Sequence, residues 1–360
     1  MTNSLYVVFV YIITHLGLVF FLYPGDIIAS TDQGHWLPIM LGISVQFGII
    51  LLYMKGLSFF PKKDLVSIYS ETGKWSVLLF LVPTLVYLFM ILLITVRAYS
   101  EIISMVFLSE TPIWAISILL LSLSIFIASK GLDAIFRTGA VIAILFLPLV
   151  IFIFFISFQN VDWRYALPIQ PNFHFITKRS FIESFFVFSG GFLFLGFVQP
   201  YFSYRRRDIL IAATILIPFV IFSVYIPVLT FGEATASTTV LPFVSVLDTI
   251  NINWIMFERI TMFFLLSLTS FIMLYITMIS WKCIRIMNHF VPAIKPTYLA
   301  LSLSIAIFLI CYLIPEWKNV EELLWWNTLP RLYCVIAVPF SLYFLGLRSK
   351  RIDKNDNETL

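Results

Sequence analysis

Runs of about 20 apolar residues recur along almost the whole chain, and few folds accept them. At 1.5 Å of rise per residue, a helical run of that length matches the ~30 Å hydrocarbon layer of a bilayer, whereas a barrel strand needs only about 9–11 residues. In lipid every backbone N–H and C=O must find a partner inside the protein, which a helix arranges within its own segment. Composition points the same way. The 360 residues are 61% hydrophobic and 12% charged, where a soluble domain is about half apolar and a quarter charged. The chain is therefore expected to be an all-α polytopic membrane protein with about ten transmembrane helices.

The pattern places spans at Leu5 to Tyr23, Trp36 to Met54, Trp75 to Phe107, Ile113 to Ala128 and Thr138 to Phe158. After a polar connection, a second five follow at Phe181 to Phe202, Ile209 to Phe231, Trp254 to Trp281, Tyr298 to Ile314 and Leu329 to Leu347. The first stretch lacks a preceding Lys or Arg and a small-residue cleavage site, so it reads as a retained span. Neither long connection has the length of a domain. The expected organisation is one membrane domain over 1–360, with one five-helix group in 1–158, a second in 181–347 and a tail in 348–360.

Basic residues orient it. With the N-terminus inside, cytoplasmic segments hold sixteen of the 23 Lys and Arg residues, including Lys62, Lys63, Lys130, the Arg205 to Arg207 turn and the tail. Outer loops hold Arg164, Lys178, Arg179 and Lys318, while Arg97, Arg259 and Arg331 fall within or beside span ends. Both termini are thus expected in the cytoplasm. The net charge of +4 reflects this loop placement. Basic residues beside a membrane suit anionic lipid, and no long basic cluster invites a nucleic acid.

The histidines His15, His35, His174 and His289 are scattered, and Cys283, Cys311 and Cys334 have no metal-ligand or CxxC spacing. No metal, cofactor or disulfide framework is expected. Phosphate-binding, dinucleotide-binding, zinc-protease and nucleophile-elbow signatures are missing as well, and the reading is not an enzyme. What stands out is a weakened helix at the corresponding place in each group. Thr14-His15-Leu16-Gly17 interrupts span one, closed by Tyr23-Pro24-Gly25, and Ser189-Gly190-Gly191 sits in the middle of span six. Interrupted helices in matching spans point to a transporter-type ligand site, where freed N–H groups hold a carboxylate and freed carbonyls an ammonium. Close helix packing by small residues is the alternative.

Tyr87 on span three and Ser267 and Ser270 on span eight, with Thr261 and Thr269, are polar enough to wall that pocket. No Lys, Arg, Asp or Glu lies near Gly190 in sequence, which suits a neutral or zwitterionic nutrient. His15 is an intramembrane titratable group, read as a neutral histidine bonded between helices in preference to a proton relay. Arg97 and Glu101, four apart on one helix face, and the adjacent Glu258 and Arg259 read as structural ion pairs in preference to a charge clamp on a substrate.

Five short motifs in concordant order carry a family resemblance: Val96-Arg97-Ala98-Tyr99-Ser100-Glu101, Leu108-Ser109-Glu110-Thr111-Pro112, Lys130-Gly131 through Arg137, Leu167-Pro168-Ile169 and Phe257-Glu258-Arg259. The chain resembles the B subunits of spore germinant receptors, the GerAB-like family. That resemblance implies the amino acid, polyamine and organocation transporter superfamily, with two inverted five-helix repeats, broken helices one and six, and a LeuT-like fold. The family's first span carries Gly-x-Gly before its proline. Here Gly17 and Pro24 match and Val19 replaces the second glycine. The implied function is sensing a small nutrient, often an amino acid, in the spore inner membrane, alongside germinant receptor A and C subunits. An amino acid permease and a structural subunit that binds nothing are the alternatives.

Overall fold

The computed structural model describes residues 3–106, 108–167, 170, 173–189, 191–250 and 260–358. Seven of its helices are long and apolar enough to cross a membrane: Trp36–Leu57, Lys74–Val106, Leu132–Ile156, Arg206–Phe231, Ile260–Phe290, Pro296–Leu313 and Trp317–Lys350. These are spans two, three, five, seven, eight, nine and ten. Span one is a pair, Asn3–Val19 and Leu22–Ser30, bent by 54°. Span four is the shorter Ile113–Ser129, and span six is divided into Arg179–Ser184, Phe186–Ser189 and Phe194–Val198. Five crossings are an odd number, so the second group starts from the opposite end of the bundle and runs inverted to the first.

Contacts between distant segments fix the two ends. At one end Ser4 donates to Asp208, Arg285 pairs with Asp64 at 2.8 Å, and Gln199 donates to the Phe60 carbonyl at 2.6 Å. At the other, Asn160 reaches the Thr249 carbonyl at 3.1 Å, His35 lies 3.1 Å from Glu233, and Arg179 reaches the Glu321 carbonyl at 2.9 Å. The first end gathers the Lys- and Arg-rich loops. There Asp64 also caps the short helix Leu65–Thr72 through the Ser67 amide at 2.8 Å, before Gly73, at φ +123°, turns the chain into span three.

Span ten begins twelve residues earlier than the apolar pattern implies, at Trp317 in place of Leu329. Lys318, Glu321 and Glu322 lower the hydropathy there, yet they are good helix formers and extend the helix past the hydrocarbon. The drawn boundary at Leu329 had left Arg331 at a span end; the full helix places it well inside.

Span one is continuous through Thr14 to Gly17 and breaks instead at Phe20 and Phe21. Pro24 accounts for the position. A proline cannot donate to the carbonyl four residues back, and its ring collides with it, which here is the carbonyl of Phe20. Gly17 serves a different purpose: a Cβ added to it would come within 3.1 Å of both Ile272 and Phe271, so the missing side chain lets span eight pack against span one. In span three, Pro83 coincides with the π-helical turn Val77–Leu81 in the same manner.

Tyrosine hydroxyls bond carbonyls at these irregularities, of which those of Leu193 and Leu195 also accept from the Gly196 and Gln199 amides at 3.3 and 3.1 Å. Tyr99 donates to the Gly17 carbonyl at 2.6 Å, Tyr53 to Leu193 at 2.9 Å, Tyr204 to Leu195 at 3.1 Å and Tyr333 to Leu79 at 2.7 Å. Gly196 makes room for one of them, since a Cβ there would meet the Tyr53 hydroxyl. Replacing Tyr99 by Phe keeps the ring and strands the Gly17 carbonyl, at a cost of about 1–3 kcal/mol, whereas Tyr53→Phe removes the shorter of two bonds to the Leu193 carbonyl, at about 0.5–1.5 kcal/mol. Both variants are expected to unfold at a lower temperature in detergent micelles, while Tyr298→Phe, at an exposed site, is expected to match the parent.

Candidate functional site

The unwound stretch of span six packs on the first half of span one, a little over a turn before that helix breaks. The Gly191 α-carbon packs so closely on the His15 imidazole that any side chain at 191 would overlap the ring. His15 is buried, with Nδ1 2.7 Å from the Tyr11 carbonyl. A carbonyl can only accept, so Nδ1 carries the proton and Nε2 is left as an acceptor; Nε2 has no partner among the described residues. The bond is made within its own helix and not to a neighbouring one, as the sequence had suggested. Beside it lies a cavity of about 20 Å³, lined by Tyr11, His15, Gln46 and Phe188 among others, with room for a water-sized molecule and no more.

Beyond the break, Phe20 sits in an aromatic box, its ring centroid 4.6 Å from Phe243 and 5.2 Å from Phe264. Phe21 turns its edge to Tyr99 at 4.8 Å, and Tyr23 does the same to Phe188 at 5.5 Å. Aromatic faces from spans one, three, six and eight therefore enclose the junction.

The residues singled out in the sequence divide. Gly191 is at the junction, and Gly17 contributes the carbonyl that Tyr99 holds. Ser189 closes the Phe186–Ser189 helix beside it, while Gly190 lies outside the described residues. Tyr87 is fully buried on span three, within electrostatic reach of Tyr275 and Arg331. Ser267 is buried on the face of span eight that carries Phe271, but its hydroxyl is engaged by its own helix, at 2.7 Å from the Phe263 carbonyl. Ser270 likewise bonds the Leu266 carbonyl at 2.9 Å and is only half-buried.

Arg97 has a structural job. It pairs with Glu101 at 2.5 Å and donates to the Ile314 and Pro315 carbonyls at 3.1 and 3.3 Å, tying span three to the turn that enters span ten. Each of its three nitrogens makes one of these bonds. Glu258 and Arg259 lie outside the described residues.

Arg331 is the charged residue the sequence reading passed over. It is fully buried on span ten, donating to the Ile182 carbonyl at 2.9 Å and the Thr328 hydroxyl at 3.1 Å, with its guanidinium 5.9 Å from the Phe186 ring centroid. This brings a cation beside span six within a turn of the break, where the sequence neighbours of Gly190 offer none. A charge inside a membrane span is itself a signal of function, and the short boundary drawn for span ten concealed it.

Comparison with known proteins supports a transporter architecture. Among solved structures, the crystal structure of MhsT in complex with L-phenylalanine superposes with a TM-score of 0.66, covering 94% of this chain and 95% of that one at 13% identity. At that identity the likeness establishes the fold, which is LeuT-like with two inverted repeats. No curated protein matches the sequence. A family model described as spore germination protein matches residues 3–320. The chain is a multi-pass membrane protein that belongs to the spore germination protein family.

Proposed function

We propose that the chain is the nutrient-sensing membrane subunit of a spore germination receptor, holding a small nutrient at the junction of its broken helices and signalling to receptor A and C subunits. The packing of the unwound stretch of span six on span one, Gly191 against His15 with the break at Phe20 and Phe21 a little over a turn beyond, carries this reading. Each broken helix has ends that can change their mutual angle, and a ligand seated between them biases that angle. The fold neighbour solved with L-phenylalanine supports an amino acid in such a fold.

The junction is closed, since a cavity of about 20 Å³ holds no amino acid. Nutrient therefore enters a state in which the broken halves have separated, and the closed arrangement is the one that has to be disturbed. A working amino acid permease is the second reading, favoured by the transporter fold itself, because a carrier needs the same pocket and the same movable helices.

A nutrient panel on spores lacking this chain tests between them. Loss of one germination response with unchanged uptake in growing cells supports the receptor, and lost uptake supports the permease. The receptor reading also expects reduced amounts of the A and C subunits in membranes of spores lacking this chain, measured by immunoblot.

Gly191→Leu would force the His15 ring from its place. It is expected to abolish the nutrient response with normal abundance, while Gly191→Ala shifts the response to higher nutrient concentration and Phe152→Leu, on an exposed face of span five, is silent. Parental germination by both glycine variants would place the pocket elsewhere.

Orientation in the spore inner membrane follows from the basic end of the bundle, which we assign to the cytoplasm with both termini. After replacement of Cys283, Cys311 and Cys334, single cysteines at Lys62 or Lys130 are expected to resist an impermeant thiol reagent in intact cells, and one at Asp32 to react. The opposite pattern would invert the assignment.

A further inference from the structure

Arg331 holds more hydrogen-bonding capacity than the protein uses. Its Nη2 makes both of its hydrogen bonds, while Nε and Nη1 have no partner among the described residues. Asn327, one helical turn away on the same face and equally buried, has neither amide oxygen nor nitrogen bonded. On span eight the buried Tyr275 hydroxyl, which acts on the Arg331 charge through space, is also without a partner among the described residues. Three buried side chains of spans eight and ten thus leave polar atoms unspent.

Carboxylates are near without closing the site. Asp26, half-buried on the second half of span one, and Glu183 on span six act on Arg331 through space. Neither is within 4.0 Å of the guanidinium, and Glu183 is already held by Arg179 at 2.9 Å. A buried guanidinium left in this condition is strongly unfavourable, and a buried orphan amide adds to that. Such an arrangement persists when something outside the chain completes it.

We infer that Arg331, Asn327 and Tyr275 bind the carboxylate of an amino acid nutrient, with Asp26 facing its ammonium group. The inference rests on the nutrient site proposed above and gives it a chemical class. Guanidinium, amide and phenol are all donors, as a carboxylate requires, and arginine is suited to carboxylates by its planar fork. The place is right as well: Arg331 lies against Ile182 and Phe186, which lead into the break of span six, and Asp26 follows the break of span one. A ligand bridging Arg331 and Asp26 would tie span ten to the movable half of span one. Sugars and nucleosides lack the anionic group that these donors await.

The test uses the purified full chain in nanodiscs and measures affinity for each of the common L-amino acids, for the carboxamide of the tightest binder, and for glucose and inosine. The amino acid is expected to bind and its carboxamide to bind weaker by roughly 30-fold or more, as when one partner of a buried charge pair is lost. Arg331→Met is expected to lose binding to a similar degree, Arg331→Lys to recover part of it, and Tyr275→Phe to weaken it severalfold. Without ligand, Arg331→Met is expected to melt no lower than the parent, because an unpaired buried charge has been removed; a purely structural arginine would give a lower melt.

Equal affinity for acid and carboxamide, or undiminished binding by Arg331→Met, overturns the assignment. If Arg331→Met fails to fold, undiminished binding by both Arg331→Lys and Tyr275→Phe does so. Binding of glucose or inosine alone overturns the carboxylate site and leaves the nutrient pocket standing, whereas a monodisperse parental chain that binds no probe overturns both.

Discussion

Backbone groups in hydrocarbon have no water to turn to, and this structure is organised around that constraint. A continuous helix satisfies it by itself; a broken one does not. Pro24 forces the helix apart at Phe20, and Pro83 coincides with the irregular turn of span three. Each released carbonyl would cost as much as a lost hydrogen bond or more if left bare. Tyr99 removes that cost at Gly17 and Tyr333 at Leu79, each reaching from another span, while Tyr53 and Tyr204 add a second donor to Leu193 and Leu195. The breaks are therefore properties of the assembled bundle, and neither half of span one could hold its shape alone.

Tyrosine suits the task because the ring belongs in the apolar interior and the hydroxyl supplies one directed donor. It also links elements that a simple apolar contact would leave free to slide. The bond from Tyr99 fixes the end of the first half-helix to span three, and that from Tyr53 fixes the unwound stretch of span six to span two. Arg97 performs the same service at the far end of span three with three bonds of its own. The second half of span one, Leu22–Ser30, carries Asp26 and buries Tyr23, Pro24, Ile27 and Ile28 against spans six and seven, with Tyr23 edge-on to Phe188.

Much of this was legible in the sequence. Ten apolar runs, the division into two fives and the grouping of the basic loops all follow from residue types, since hydrocarbon thickness and backbone pairing leave little choice. The matched weak points in spans one and six were legible too, though the first lay three to six residues from where glycine suggested. The glycine rule weighs helix propensity, about 1 kcal/mol, whereas the proline rule weighs a missing donor and a clash of about 3 kcal/mol or more. The larger effect won, and Gly17 was left to do a packing job against Phe271 and Ile272. Tyr53, Tyr99, Tyr204 and Arg331 were not legible because their importance comes from partners 9 to 149 residues away. A hydropathy window sees Arg331 only as a dip at the edge of a span.

The closed junction also explains why one scaffold can serve a receptor or a carrier. His15 against Gly191 leaves no gap for an amino acid, so occupancy and the arrangement of the broken helices are linked. A ligand can shift that arrangement only by the difference in its affinity for the two states. Contacts present equally in both, such as those of Arg97, contribute nothing to the shift. Groups left unsatisfied in the closed state contribute most, because a ligand that meets them gains their full bonding in the other. Among the described residues, the buried groups of that kind include His15 Nε2, the Tyr11 and Tyr23 hydroxyls, Gln46 Oε1, the Asn327 amide, the Tyr275 hydroxyl and two guanidinium nitrogens of Arg331. The capacity to respond thus resides in polar atoms that the resting protein does not use.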